Sequence, residues 1–157
     1  MSETARLADQ IRRAFDGDAW HGDSVVQILE GVHATLAAAH PIKNAHSIWE
    51  LVLHIAAWDA AVLKRTGGTA VQLSGEQNFP PVKDTSKAAW HNAIEDAKQA
   101  HSELVKAVAA FPDSRLQEQV PGKTESYYNF FYMFSGIVQH ELYHAGQIAL
   151  LKKAVSS

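Results

Sequence analysis

The sequence predicts an all-α protein, a four-helix bundle with an extra short N-terminal helix. Three observations carry that prediction. Apolar residues recur at intervals of three and four, Ser-x-x-Gln and Ser-x-x-Glu pairs stand where helices would begin, and neither an alternating strand pattern nor a Gly-rich phosphate loop occurs. A length of 157 residues suits one domain, 1–157, with a sizeable core.

An amphipathic segment from Glu3 to Phe15 forms the short first helix and stops at Gly17. The turn-like run Ala19 to Asp23 leads into a helix from Ser24 to His40, where Ser24 and Gln27 have capping-box spacing and Pro41 helps to end it. Ser47 and Glu50 form a second such box and open a helix that continues to Thr66, before Gly67 and Gly68. Gly68 to Lys83, with Gly75, Pro80 and Pro81, reads as a loop longer than most connections. Asp84 or Thr85 caps the next helix, which reaches Phe111 and is closed by Pro112. A loop from Asp113 to Lys123 precedes the last helix, Glu125 to Lys153, after which residues 154–157 fray. The four long helices make the bundle, and the Glu3–Phe15 helix packs against an end or side of it.

A net charge of −3 with both signs interspersed leaves no Lys/Arg stripe for a phosphate backbone and no polybasic patch for a membrane. Nucleic acid and membrane are therefore not expected partners. Met1 to Gln10 lacks the apolar segment of a signal peptide, and no run reaches the length of a membrane span, which predicts a cytoplasmic location. Cysteine is absent, so disulfides, thiolate nucleophiles and Cys-based zinc sites are excluded together. Any metal must be held by His, Asp or Glu, and the nine histidines are the pool to search.

His140 and His144 stand out in that pool. Met133, Ile137, His140, His144, Ile148 and Leu151 step by three or four along the last helix, so both imidazoles occupy its buried stripe. A spacing of four brings them to one face, where they can reach one metal ion. The alternative is a pair of ordinary core histidines hydrogen-bonded to a Tyr, a Ser or a backbone carbonyl. On the helix from Ser47, Leu51, His54, Trp58, Ala61 and Arg65 form a comparable stripe, which makes His54 the candidate third ligand of a site between two facing helices.

The remaining histidines carry weaker signals. His46 reads as a boundary residue beside the Ser47 cap, His21 belongs to a turn, and His33, His40, His91 and His101 read as surface or rim residues. Trp20, Trp49, Trp58 and Trp90 read as core. Tyr127, Tyr128 and Tyr143 could hydrogen-bond substrate, although packing is the commoner use of such rings. Arg65 could recognise a carboxylate if it lines a cavity, and a cation also suits a helix C-terminus by the dipole alone.

The string His140-Glu141-Leu142-Tyr143-His144 matches the HExxH pattern of zinc proteases, in which the Glu is a general base. Spacing argues against that reading. No His, Asp or Glu follows His144, and Gly146 comes one residue too early for the extended pattern. Glu141 and Tyr143 are thus weak catalytic candidates, and Glu141, a quarter-turn from its neighbouring ligand, suits a structural or orienting role better.

The segments Ala19 to Gly22, His46 to Trp58 and His140 to Ile148 together resemble the DinB-like (DinB/YfiT) superfamily. The resemblance implies a four-helix bundle, often a homodimer, holding a divalent metal through three histidines that fall on His54, His140 and His144. It also implies that an acidic residue at position 141 is usual and need not signal protease chemistry. Characterised relatives are metal-dependent transferases that use low-molecular-weight thiols such as bacillithiol or mycothiol, among them a mycothiol-dependent isomerase. Many others have no known activity.

The expected function is accordingly a metal-dependent thiol transferase acting on a small electrophilic substrate, with zinc or nickel as the ion. A noncatalytic metal-binding or stress-response protein is the alternative. A metal-dependent hydrolase and a metal-free bundle stand behind it.

Overall fold

The computed structural model describes residues 1–156. Among them are six α-helices and no strand: α1 (Glu3–Phe15), α2 (Val25–Leu29), α3 (Ala34–Ala38), α4 (Ile48–Thr66), α5 (Lys87–Ala109) and α6 (Phe130–Val155). The four longest close into a ring, because α5 packs on α1 and α4, and α6 packs on the same two. The first helix is therefore a full member of the bundle, not a helix set against its end or side.

The segment expected as one helix from Ser24 to His40 is two short ones instead. Its start follows the sequence signal, with Gln27 Oε1 accepting the Ser24 N–H at 2.8 Å. The break comes at Gly31, which adopts φ +75°, a conformation open to glycine and costly for other residues. Tertiary partners then take carbonyls that a continuous helix would use internally. Lys152 Nζ donates to the carbonyls of Ile28 (2.9 Å) and Glu30 (2.7 Å), and Trp90 Nε1–H donates to that of Val32 (2.7 Å). The two pieces pack separately, α2 on α6 and α3 on α4.

Ser47 and Glu50 form the expected box: Ser47 Oγ accepts the Glu50 N–H at 3.1 Å, and the Glu50 carboxylate accepts the Ser47 N–H at 2.7 Å. Ser86 caps α5 rather than Asp84 or Thr85, accepting the Ala89 N–H at 3.1 Å while Asp84 holds the Ser86 N–H at 2.8 Å. Helix α6 begins at Phe130, later than Glu125, because the preceding residues pair with 116–120. Val120 N–H donates to Tyr128 O at 3.0 Å, and Phe130 N–H to Glu118 O at 3.1 Å. Asn129 then caps the helix by accepting the Tyr132 N–H at 2.8 Å.

The apolar core has two parts. One joins Ile48 to Ile55 of α4, Trp90 to Ala97 of α5 and Ala145 to Leu151 of α6 with α2 and α3. The other joins Leu7 and Ile11 of α1, Val62 of α4, Leu104 and Val108 of α5, and Phe130 to Ile137 of α6. Between them lie buried ionisable residues from three helices: His54 and Asp59, His101, and Glu141 and His144. Trp49 and Trp90 belong to the core as expected, but Trp20 is fully exposed at the tip of a turn closed by Ala19 and Gly22. No helix among the described residues is long and apolar enough to cross a membrane.

Candidate metal centre

Helix α4 packs along α6, and that seam brings His54 to His140 and His144. The Nε2 atom of His140 lies 2.9 Å from Nε2 of His54 and 3.1 Å from Nε2 of His144. All three residues offer donors within 4.8 Å of one another, and they form a group that could hold a metal ion. His54 and His144 are buried and His140 is half-buried. An ion held about 2.0–2.1 Å from each imidazole nitrogen would set neighbouring nitrogens about 3 Å apart, so the spacing fits a divalent metal.

Proton accounting supports the same fit. The Asn78 carbonyl can only accept, so His54 Nδ1–H donates to it at 2.6 Å and leaves Nε2 bare. His144 Nδ1–H donates to Gln147 Oε1 at 2.6 Å, with the same result. A single proton on His140 Nε2 can serve only one of its two neighbours, and His140 Nδ1 is buried without a partner. Lone pairs therefore outnumber protons where the rings meet, and a cation would satisfy them. Burial lowers the proton affinity of all three rings, and the charges of His144 and His54 add to it at His140, which is held down to about 3. The rings are thus neutral at neutral pH, as ligation requires.

Phe79 covers His54, ring on ring at 4.0 Å, and stacks on His46 with its other contact at 3.9 Å. His46 is exposed, lies 3.4 Å from Glu50, and is a boundary residue as its position suggested. His33 caps α3, His40 pairs with Glu50 at 3.2 Å, and His21 and His91 are exposed. None of these joins the cluster.

His101 is the correction. Expected at the surface or rim, it is buried and stacked on Phe15 at 4.2 Å. Its Nδ1–H donates to Asp59 Oδ2 at 3.0 Å, and Glu141 Oε1 lies 3.1 Å from the same nitrogen, off the hydrogen-bond direction. A signal for this was present, because Trp90, Ala93, Ala97, His101, Leu104 and Val108 step by three or four. Asp59, His101 and Glu141 form a second group with metal-compatible spacing. Protons can balance this group without an ion. Burial pushes Glu141 up to about 8 and also raises Asp59, while against the opposing effect of burial the two carboxyl groups hold His101 up to about 9. An imidazolium, one carboxylate and one carboxylic acid make a neutral set.

Glu141 thus belongs to the inner cluster and does not line the cavity beside His140. That placement removes the base a zinc protease would need, and the third imidazole comes from α4 rather than from downstream of His144. The cavity itself has a volume of about 440 Å³, and its wall includes His140, Trp58, Arg65, Tyr128, Ile137 and Tyr143. Asn78 ties this wall to the metal group, since its side-chain oxygen accepts from Trp58 Nε1–H at 2.8 Å. Tyr143 stands exposed at the rim, edge-on to His144 with ring centres 5.1 Å apart. Asn78 and Gln147, which orient two of the rings, were not anticipated from the sequence. Asn78 reaches the site from the long loop, and its contact runs through a backbone carbonyl that residue type does not reveal.

Residues 19–148 match the family model described as the DinB superfamily. No curated protein and no solved structure matches the chain.

Proposed function

The chain belongs to the DinB superfamily, and from that premise we propose that it is a divalent-metal-dependent enzyme joining a low-molecular-weight thiol to a small electrophilic substrate. The convergence of three Nε2 atoms at 2.9 and 3.1 Å carries the reading. His54, His140 and His144 would hold the ion, and an all-imidazole set suits zinc or nickel. When bound, the ion lowers the pKa of a thiol or water at its open position and favours the anionic nucleophile.

The chain's own groups do the remaining work. Asn78 and Gln147 hold the His54 and His144 rings with Nε2 turned to the common point. Because the sequence contains no cysteine, the attacking sulfur must come from an external thiol, which loses its proton to solvent and forms a C–S bond as the substrate carbon's bond to its leaving group breaks and that group departs to solvent with the electron pair. The cavity reaches the metal group through His140, and its volume of about 440 Å³ admits a small molecule. Trp58 and Ile137 give that space an apolar wall that limits competing water.

A cavity opening onto a ligand favours catalysis over a metal that only pins two helices together. The test is consumption of an alkylating electrophile by the metal-loaded chain with a panel of bacillithiol, mycothiol, glutathione and coenzyme A, beside His140→Ala. One thiol should be used well above background, and the variant should fall to the uncatalysed rate. Equal rates for the two proteins would eliminate the reading.

A further inference from the structure

Arg65 is fully buried at the C-terminal end of α4, on the wall of the cavity that His140 also lines. Its hydrogen-bond partners are all neutral. The Val71 carbonyl accepts from Nε–H at 3.0 Å and from Nη2–H at 2.6 Å, and the Tyr128 hydroxyl oxygen accepts from Nη1–H at 3.3 Å. No carboxylate pairs with it among the described residues, so a guanidinium that stays charged is buried without a counter-ion.

The Tyr128 contact passes that charge to the cavity. A hydroxyl whose oxygen accepts from a guanidinium turns its own proton away, and no protein group among the described residues takes the Tyr128 proton. Lys123 Nζ lies 4.6 Å from the centre of the Tyr128 ring. The rest of the wall is mainly apolar, with Val62, Met133 and Ile137, and its polar members are Ser135, Gln139, Tyr132 and Tyr143. Trp58 bridges the two ends, its indole 5.6 Å from the His140 ring and 5.5 Å from the Arg65 guanidinium carbon.

We infer that this end of the cavity binds the anionic group of the substrate, a carboxylate on a small apolar body, which accepts the Tyr128 O–H with the Arg65 guanidinium behind it. The inference deepens the reading above and rests on it for the identity of the reacting end at His140. A carboxylate there supplies the missing counter-charge, and the apolar wall between the two ends receives the body of the molecule. Tyr128 and Arg65 are binding groups in this arrangement, one touching the ligand and the other acting through it.

Calorimetric titration with 3-phenylpropanoate and with its amide, 3-phenylpropanamide, tests this, because the two differ mainly in charge. The acid should bind at least about tenfold more tightly than the amide. Arg65→Gln should bring the two affinities together, and Tyr128→Phe should narrow the gap. Equal binding of acid and amide by the unaltered chain overturns the inference, as does a preference that survives in Arg65→Gln. If Arg65→Gln does not fold, Tyr128→Phe decides, and an undiminished preference in it is a refutation. Each titration is run with zinc bound and after chelation. A preference that persists in both variants and vanishes on chelation assigns the carboxylate to the metal, which sinks this inference and leaves the metal reading intact. A chain that binds neither zinc nor nickel removes the metal reading, and the acid-to-amide ratio still tests Arg65.

Discussion

Glu141 and its sequence neighbour His140 look to different sides of α6: the imidazole meets His54 at 2.9 Å on the seam with α4, while the carboxyl lies 3.1 Å from His101 inside the bundle. One step of sequence thus joins two polar groups that the fold keeps apart. The outer one borders a cavity and offers three imidazole nitrogens to a cation, and the inner one is buried within the bundle.

Metal should stabilise the chain, because a ligand bound only by the native state shifts unfolding by mass action. Free metal at a hundred times its Kd should add about 2.7 kcal/mol. Chelation should lower the melting temperature, and His54→Ala should abolish both that response and the metal found by elemental analysis. Identical melting with and without zinc or nickel would count against the site.

Gln147→Leu should weaken metal binding by about 10–100-fold, as expected for loss of a group that orients a ligand ring. The change removes the acceptor that keeps the His144 proton on Nδ1. Competition with a chromophoric chelator measures it. Unchanged affinity would mean that this contact does not set the ring.

His101→Ala should cost about 3–5 kcal/mol in urea unfolding, because it leaves two buried carboxyl groups without their imidazole. The metal-binding stoichiometry of the folded fraction should stay unchanged, since the outer imidazoles lie on α4 and α6. A loss below 1 kcal/mol would show that the inner cluster is not held by this residue.

Stability of the metal-free chain should pass through a maximum with pH. His101 is held up to about 9 against an ordinary 6.5, so its contribution is complete below 6.5 and is lost as the pH rises through 9. Glu141, raised to about 8 from 4.5, acts in the same sense, since the native chain keeps a proton that the unfolded chain has released. Below 6.5 the outer imidazoles act oppositely. Their lowered proton affinities let the unfolded chain take up protons first, and stability falls with pH. Urea unfolding across the range should show both limbs, and His101→Gln should flatten the alkaline one; an unaltered alkaline limb would contradict this assignment.

Helical periodicity made much of the fold legible. Ser47 and Glu50 announce α4 directly, and the His54, His140 and His144 stripes point to residues that meet in space. The break at Gly31 was hidden, because it depends on Lys152 and Trp90, which lie far along the chain and capture the local carbonyls. The late start of α6 was hidden for the same kind of reason, since Tyr128 and Phe130 pair with residues 118–120. His101 differs. Its stripe was present, but a single histidine on a helix gives no hint that Asp59 and Glu141 wait opposite it.

The polar layer that divides the core has a consequence for alignment. Sliding α4, α5 or α6 by one turn would move Asp59, His101 or Glu141 from its partners into one of the two apolar halves, where an unmatched charge is heavily penalised. The inner trio therefore acts as a key that permits a single longitudinal setting of the three helices. Since His54 is five residues, about 1.4 turns, from Asp59 on the same helix and His140 adjoins Glu141, that same setting brings the outer nitrogens face to face.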